Sequence, residues 1–574
     1  MRVCDYLVDR IKHLSNYVFL VNGRGALFLT DSIAKSRINY ICTHNEQGAA
    51  FAAMGVSIAS DNIGICLISS GCASTNAITP VLCAYQDEIP LIIISGQNTL
   101  KETTTHTNRD IRTYGQQETN IINIVKPITK YAKMLEDKND IAYIIDEALY
   151  MMLENRAGPV WLDIPLDLQN ARIEVENLKR YTPKKHEKEN IDIKIIKNHL
   201  KDSKKPLICL GHEIRKYKQS IQQLINNLQI PIIFEKSVSD IYPTSNKLSI
   251  GSIGTIGATR AANIALSKCD LLLCIGTRLD STTTGELANF APNAKKILIN
   301  TDFKTPQEIE AIKIQCDIQE ALQNLNNLKL EKTWEVWSEK LQNIKIGLKK
   351  YNPTHKEIDI YKLCDILSKT MPKEANFVCD SGFIELIAPS NINFKDNQIL
   401  IEPFSQGCMG FALPASIGAY LANNNKTIAL IGDGSFMFNI QELQSIVFNK
   451  IKVCILIANN SGYGIIKKRQ KDLFKTRTIG NDINDGISFP NFKKVASTFQ
   501  IPYFKIENKE QLEKLGDILK EDLCICEILT TNTQEYIHNS FYIKNGKAIK
   551  STLENQAPFL EESKLQKILQ SLGE

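Results

Sequence analysis

The chain has no run of 18 apolar residues, so no segment offers itself as a membrane-spanning helix. Its first residues include Asp5, Asp9 and Arg10, which is not the charge pattern of a secretory leader. Long stretches of one charge are also missing: 68 basic residues face 63 acidic ones, leaving a net charge of +5. Without a basic stripe nothing demands a nucleic-acid partner, and the Lys-rich segments 179–197 and 467–469 read as solvated surface. No cysteines stand at zinc spacing. The 15 cysteines lie scattered among apolar neighbours, as in Ile65-Cys66-Leu67, and read as buried free thiols of a reducing cytoplasm.

What is present is enough apolar sequence for several cores. At 574 residues the chain exceeds the size at which one core keeps growing, so three domains of roughly 150–200 residues are expected. Apolar runs alternate with helix-length stretches in three segments. Strands are expected at 17–21, 40–43, 64–68, 91–95 and 159–163, then at 206–210, 230–234, 271–275 and 296–300, with a third series holding the motif described next. Charged connectors mark boundaries, giving domains at 1–172, 190–335 and 355–545, followed by a polar tail at 546–574 with one short helix. The expected fold class is α/β, with three doubly wound parallel-sheet domains.

The most informative stretch runs from Ile428 to Tyr463. An apolar run ends in Gly432-Asp433-Gly434-Ser435, a helix-length segment follows, and a second apolar run ends in Asn459-Asn460-Ser461-Gly462. Ligands of open parallel sheets bind outside the carboxyl ends of the strands, so Asp433 and Asn460 should lie side by side. A carboxylate, an amide oxygen and a nearby backbone carbonyl suit Mg²⁺, which shares its shell with phosphates. Gly432 and Gly434 allow close approach of a diphosphate, and the following helix N-terminus favours its charge.

This pattern resembles the metal- and diphosphate-binding motif of the thiamine diphosphate (ThDP) enzymes. Further matches point to their acetolactate synthase-like branch. Glu46-Gln47-Gly48-Ala49 is similar to an HEQGA-like segment, with Asn45 where the His belongs. Ser69-Ser70-Gly71-Cys72-Ala73-Ser74-Thr75-Asn76 resembles SGPGATN, and Gln116-Gln117-Glu118 resembles FQE. The sequence Gly158-Pro159-Val160-Trp161-Leu162-Asp163-Ile164-Pro165 is similar to the close of the family's first domain, and Gly407-Cys408-Met409-Gly410 to its GxMG segment.

The resemblance implies a pyrimidine-binding first domain, a central domain and a diphosphate-binding third domain, with ThDP and Mg²⁺ as cofactors. It implies catalytic roles for Glu46 and Gln117. In this family such a Glu hydrogen-bonds the pyrimidine and starts the proton relay that activates the cofactor. Cofactor contacts are implied at Glu46, Gly382, Phe383, Gly407, Met409, Asp433, Gly434, Ser435, Asn460, Gly462, Tyr463 and Ile465. Metal contacts are implied at Asp433, Asn460 and Gly462. Met409 would be the wedge that bends the cofactor. Segments 251–257 and 276–285 resemble those that hold FAD in acetolactate synthases, but relatives without FAD keep this domain, so FAD is left open. The implied assembly is a homodimer or homotetramer with the active site between subunits.

The implied reaction is decarboxylation of a 2-oxo acid, pyruvate by default, and transfer of the acyl unit to a carbonyl acceptor. A 2-oxo acid decarboxylase, or a carboligase using another acceptor such as a keto-sugar, are the alternatives. A non-catalytic paralogue is a third, opposed by the retention of Glu46, Asp433, Asn460 and Met409. On the acceptor side two positions depart from the family: Thr282 replaces an Arg and Arg469 a Trp, and Arg469 would suit a larger or phosphorylated acceptor.

Overall fold

The computed structural model describes residues 1–107, 109–183, 193–303, 309–348, 357–544 and 546–573. The expected boundaries at 190, 355 and 545 lie outside the described residues. Three six-stranded parallel sheets make up the molecule. The first holds β1 (Tyr17–Leu20), β2 (Asn39–Cys42), β3 (Gly64–Ile68), β4 (Leu91–Gln97), β5 (Tyr131–Met134) and β6 (Pro159–Pro165), in the order β2-β1-β3-β4-β6-β5.

The central sheet holds β7 (Pro206–Leu210), β8 (Ile232–Phe234), β9 (Ser249–Ser252), β10 (Leu271–Ile275), β11 (Lys295–Asn300) and β12 (Ile312–Gln315), ordered β12-β11-β10-β7-β8-β9. The third holds β13 (Ala375–Cys379), β14 (Gln398–Ile401), β15 (Lys426–Gly432), β16 (Val453–Asn459), β17 (Tyr503–Ile506) and β18 (Cys524–Leu529), ordered β14-β13-β15-β16-β18-β17. The first and third sheets therefore share one topology, while the central sheet has the order of a dinucleotide-type fold.

The inner strands are continuous apolar runs because parallel sheets are covered on both faces. β3, β4 and β6 are buried at every position. In the first two sheets the strands that were not expected are at sheet edges. β5 and β12 are half-exposed and carry Lys133 and Lys313, and β9 reads Ser-Ile-Gly-Ser. None of the three forms the long apolar run by which the other strands were recognised.

The first and third domains are joined by two helices, each following the second strand of its sheet. The helix Glu46–Ala59 starts at Asn45, whose side chain accepts from the Gln47 N–H at 2.8 Å. Its partner, Ala412–Asn423, ends at Asn424 in the left-handed conformation. Both are rich in alanine and glycine, so the backbones meet. A Cβ on Gly418 would lie 1.8 Å from the Ala52 carbonyl oxygen, and one on Gly55 would lie 2.2 Å from that of Ala415. Phe51 and Phe411 pack edge-on, 5.3 Å apart, and one hydrophobic core runs through both domains.

The end of the chain is not a free polar tail. A hairpin of β19 (Phe541–Lys544) and β20 (Lys547–Lys550) leads to a helix, Glu562–Gly573, whose Leu565 and Leu572 enter the core of the central domain. Gln556 is buried and donates to the Gly254 carbonyl at 3.0 Å. The apolar stripe at Leu565, Leu569 and Leu572 gives the physical reason, since it pays to bury one face of an amphipathic helix. Residues 173–178 likewise continue the first domain, with Ile173 and Leu178 in its core. Among the described residues no helix is long and apolar enough to cross a membrane. No disulfide joins any of the 15 cysteines, but Cys42 and Cys72 are exposed and Cys408 half-buried, against the expectation that all are buried.

Gly418→Ala is expected to lower stability by roughly 1–3 kcal/mol through overpacking against Ala52. The urea midpoint measures this, and an unchanged midpoint would show that the two helices can separate freely.

Candidate active site

The third sheet reverses its winding between β13 and β15, and a cavity of about 1510 Å³ opens at the carboxyl ends of these strands. Gly432 pairs with Ala458, which brings Asp433 level with the Asn459-Asn460 turn after β16. Asp433, Gly434, Ser435, Asn460, Gly462, Tyr463 and Ile465 all line the cavity, as do Gly382, Phe383, Gly407 and Met409. Every residue of the third domain expected to contact the cofactor thus lines one cavity. Asp433 is buried, and its carboxylate accepts from the Gly434 N–H at 2.7 Å and the Gly462 N–H at 3.1 Å. Burial pushes its carboxyl up to about 6, against the pull of these donors.

The donor set fits a hard cation. No three His, Cys, Asp or Glu side chains converge as a metal-ligating group among the described residues. A cation here would have one carboxylate, the Asn460 amide and a carbonyl, a set typical of Mg²⁺ that keeps water and phosphate ligands. The Gly462 carbonyl accepts from the Gly464 N–H at 3.0 Å and keeps a second lone pair. Gly434 is required at its position, because a Cβ there would meet the Tyr463 ring at 2.1 Å.

The loop that presents Met409 is tied down by Asp380, a fully enclosed carboxylate at the end of β13. It accepts from the N–H groups of Gly410 at 3.1 Å and Ala412 at 2.8 Å. Gly407 sits at φ +53, and a Cβ there would lie 2.8 Å from a carboxylate oxygen of Glu385. Beneath this loop lies Glu402, 7% exposed, with no hydrogen-bond partner for either oxygen among the described residues. Burial raises its carboxyl to about 8.

Glu46 and Gln117 do not line this cavity. Glu46 opens its helix after β2 and accepts from the Asn76 amide at 2.9 Å. Gln117 sits at φ +65 on the exposed turn after residue 115, its carbonyl against Gly71. Arg24 donates to the Gln116 side chain at 2.8 Å beside it. Glu46, Gly71, Asn76 and Gln117 thus form a second group at the carboxyl ends of the first sheet. Just before the N-cap of the Glu46 helix, Glu442 of the third domain, which is fully buried, accepts from the His44 N–H at 3.1 Å. Asn439 connects this region to the Met409 loop by donating to Gln47 at 3.0 Å and to the Gly410 carbonyl at 2.8 Å.

The central domain does not fit FAD at its own crevice. This sheet reverses between β7 and β10, where a dinucleotide would need free backbone donors. Those donors are taken by Glu235, which is 1% exposed. Its carboxylate accepts from the N–H groups of Arg278 at 2.9 Å, Leu279 at 3.2 Å and His212 at 3.2 Å. An internal anion thus fills the position a diphosphate would take. Thr282 and Arg469, the two departures from the family pattern, both line the large cavity.

Sequence reasoning missed Lys236, Glu385 and Glu442. Lys236 carried the same signal as Asp433, a polar residue just past an apolar strand, here 232–234. Glu385 and Glu442 lie inside helices, and nothing local distinguishes them from surface acids.

Three family models match the three domains in order. The thiamine pyrophosphate enzyme N-terminal TPP binding domain matches residues 1–124, the central domain 193–325 and the C-terminal TPP binding domain 380–525. With this arrangement of sheets and cavity, the chain belongs to the thiamine diphosphate-dependent enzymes, with all three of their domains. Within that class it is acetolactate synthase-like. The acetolactate synthase large subunit of Lactococcus lactis subsp. lactis (strain IL1403) is 28% identical over 538 residues, covering 91% of each chain. Acetolactate synthase 1, chloroplastic, of Zea mays is 28% identical over 539 residues, 88% of this chain and 82% of the relative. The protein of the same description from Oryza sativa subsp. japonica is 29% identical over 539 residues, 88% of this chain and 81% of the relative.

Glu402 makes stability depend on pH. In the unfolded chain it ionises near its ordinary 4.5, whereas the folded chain keeps the proton up to about 8. Its contribution is fully present below 4.5 and is lost as pH rises through that window. Glu402→Gln is therefore expected to raise the urea midpoint relative to the wild type more at about pH 8.5 than at about pH 5. An equal effect at both pH values would contradict a protonated Glu402.

Proposed function

We propose that the protein is a ThDP- and Mg²⁺-dependent enzyme that decarboxylates a 2-oxo acid, pyruvate by default, and joins the acyl unit to a carbonyl acceptor. The observation that carries this reading is the one cavity lined together by Asp433, Gly434, Asn460, Gly407 and Met409. Asp433, Asn460 and the Gly462 carbonyl would hold the metal. Gly382, Phe383, Gly434 and Ser435 would receive the diphosphate, with Tyr463 and Ile465 completing that part of the lining. Gly407 and Met409 would hold the pyrimidine end and enforce its bend. When bound, ThDP supplies a nucleophilic carbon and an electron sink for the carbanion left by loss of CO₂.

Glu46 would hold and release the proton at the pyrimidine end, and Gln117 would face the reacting carbonyl. Both lie off the cavity of their own chain, so they would serve the cavity of a second copy, and the minimum active unit is a homodimer. The cytoplasm suits a protein whose thiols are all free.

Asp433→Ala should abolish Mg²⁺-dependent uptake of ThDP in calorimetry. Glu46→Gln should keep uptake and lose about 10²–10⁴-fold in turnover. Co-expression of the two variants should restore turnover, because a mixed dimer contains one intact site; no recovery would sink the shared-site reading. Incubation with pyruvate, ThDP and Mg²⁺ reads the reaction itself. Acetolactate means a synthase, acetaldehyde a decarboxylase, and neither a different donor or a required acceptor.

A further inference from the structure

The cavity is larger than one cofactor-sized ligand requires. Ligand pockets usually hold about 300–1,000 Å³, whereas this one, at about 1510 Å³, continues past Met409 and Asp433 onto the central domain. Two cations stand on that extension. Lys236 follows Glu235 at the end of β8 and is 9% exposed. Its ammonium makes no hydrogen bond or ion pair among the described residues, and it lies 5.8 Å from the centre of the Phe404 ring. Arg278 approaches the same ring at 5.8 Å.

Arg278 is only partly satisfied. Its Nε donates to Glu88 at 3.0 Å and its Nη1 to the Ser405 hydroxyl at 2.7 Å, with Asp87 at 3.6 Å. Its Nη2 is buried and has no partner. Asp87 and Glu88 are thus engaged by Arg278. Glu385, on the same cavity, and Glu402 are the other acids that act on Lys236, and neither reaches ion-pair distance. An ammonium with no ion pair among the described residues and a buried guanidinium N–H with no acceptor would both be answered by an anion.

We infer that Lys236 Nζ and Arg278 Nη2 form a subsite for a phosphate or diphosphate ester carried by the carbonyl acceptor. The acceptor is then larger than a simple 2-oxo acid, and its charged end rests on the central domain while its carbonyl faces the cofactor. The inference rests on the ThDP reading above, since it is the cofactor site that makes the adjoining space an acceptor site. A point charge beside a planar donor suits a multiply charged phosphate better than the single charge of a carboxylate. Because Glu235 already fills the crevice between β7 and β10, this subsite faces the shared cavity and not a nucleotide fold of its own.

The test uses the full-length protein loaded with ThDP and Mg²⁺, with cofactor uptake recorded first so that failure of the cofactor site registers separately. The protein is then titrated calorimetrically with uridine diphosphate and with glucose 6-phosphate. At least one should bind with ThDP retained, and Lys236→Met should weaken that binding at least tenfold while ThDP uptake stays unchanged. Response to both probes assigns a phosphate ester, and response to uridine diphosphate alone a diphosphate ester. Lys236→Gln repeats the measurement should the Met variant fail to fold. No binding of either probe to the wild type, release of ThDP by the probe, or wild-type affinity in the Lys236 variants would each overturn the assignment.

Discussion

The backbone contact between the helices Glu46–Ala59 and Ala412–Asn423 is the constraint on which the rest depends. Gly55 and Gly418 each rest on a carbonyl of the opposite helix, so no side chain can intervene. Alanines along both helices extend this contact and merge the first and third domains into one core. Each helix begins beside a part of the candidate site: Glu46 opens one, and the Met409 loop precedes the other. Their packing therefore fixes where Glu46 and the Met409 loop stand relative to each other in one chain.

Two enclosed carboxylates at the candidate site, Asp433 on the cavity lining and Asp380 behind the Met409 loop, are answered by backbone N–H groups. Asp433 receives two such donors and Asp380 three, counting Ser381 at 2.8 Å. A carboxylate held by peptide dipoles costs less to bury than a bare one, and its position is set by the strand ends. Asp380 thereby positions the loop of Gly407 and Met409, while Asp433 keeps its oxygens at the mouth where a cation and diphosphate would meet. Glu402, with no such donors, keeps a proton instead.

The central domain departs from its neighbours in what it does with the same architecture. Its strand order is that of a dinucleotide fold, yet Glu235 occupies the donors at its switch point. The next residue, Lys236, turns toward the large cavity. One dipeptide, Glu235-Lys236, thus fills the crevice between β7 and β10 with a carboxylate and places an ammonium on the lining of the large cavity.

Much was legible along the chain. The inner parallel strands announce themselves as continuous apolar runs, because both faces are covered. Gly-Asp-Gly followed by Asn-Asn at strand ends marks the diphosphate wall, because parallel strands place their carboxyl ends together. Edge strands such as β5 and β12 escaped notice, since half-exposed positions accept Lys. The docking of the Glu562–Gly573 helix on the central domain, the enclosure of Glu442 and the separation of Glu46 from the cavity were not legible either. They depend on which surfaces meet across hundreds of residues. Local sequence thus determined the strands, the turns and the type of ligand each can hold, through periodicity and donor chemistry. Only the tertiary structure decided which charges are left unanswered, because the segments that enclose Lys236, Arg278 and Glu402 come from distant parts of the chain.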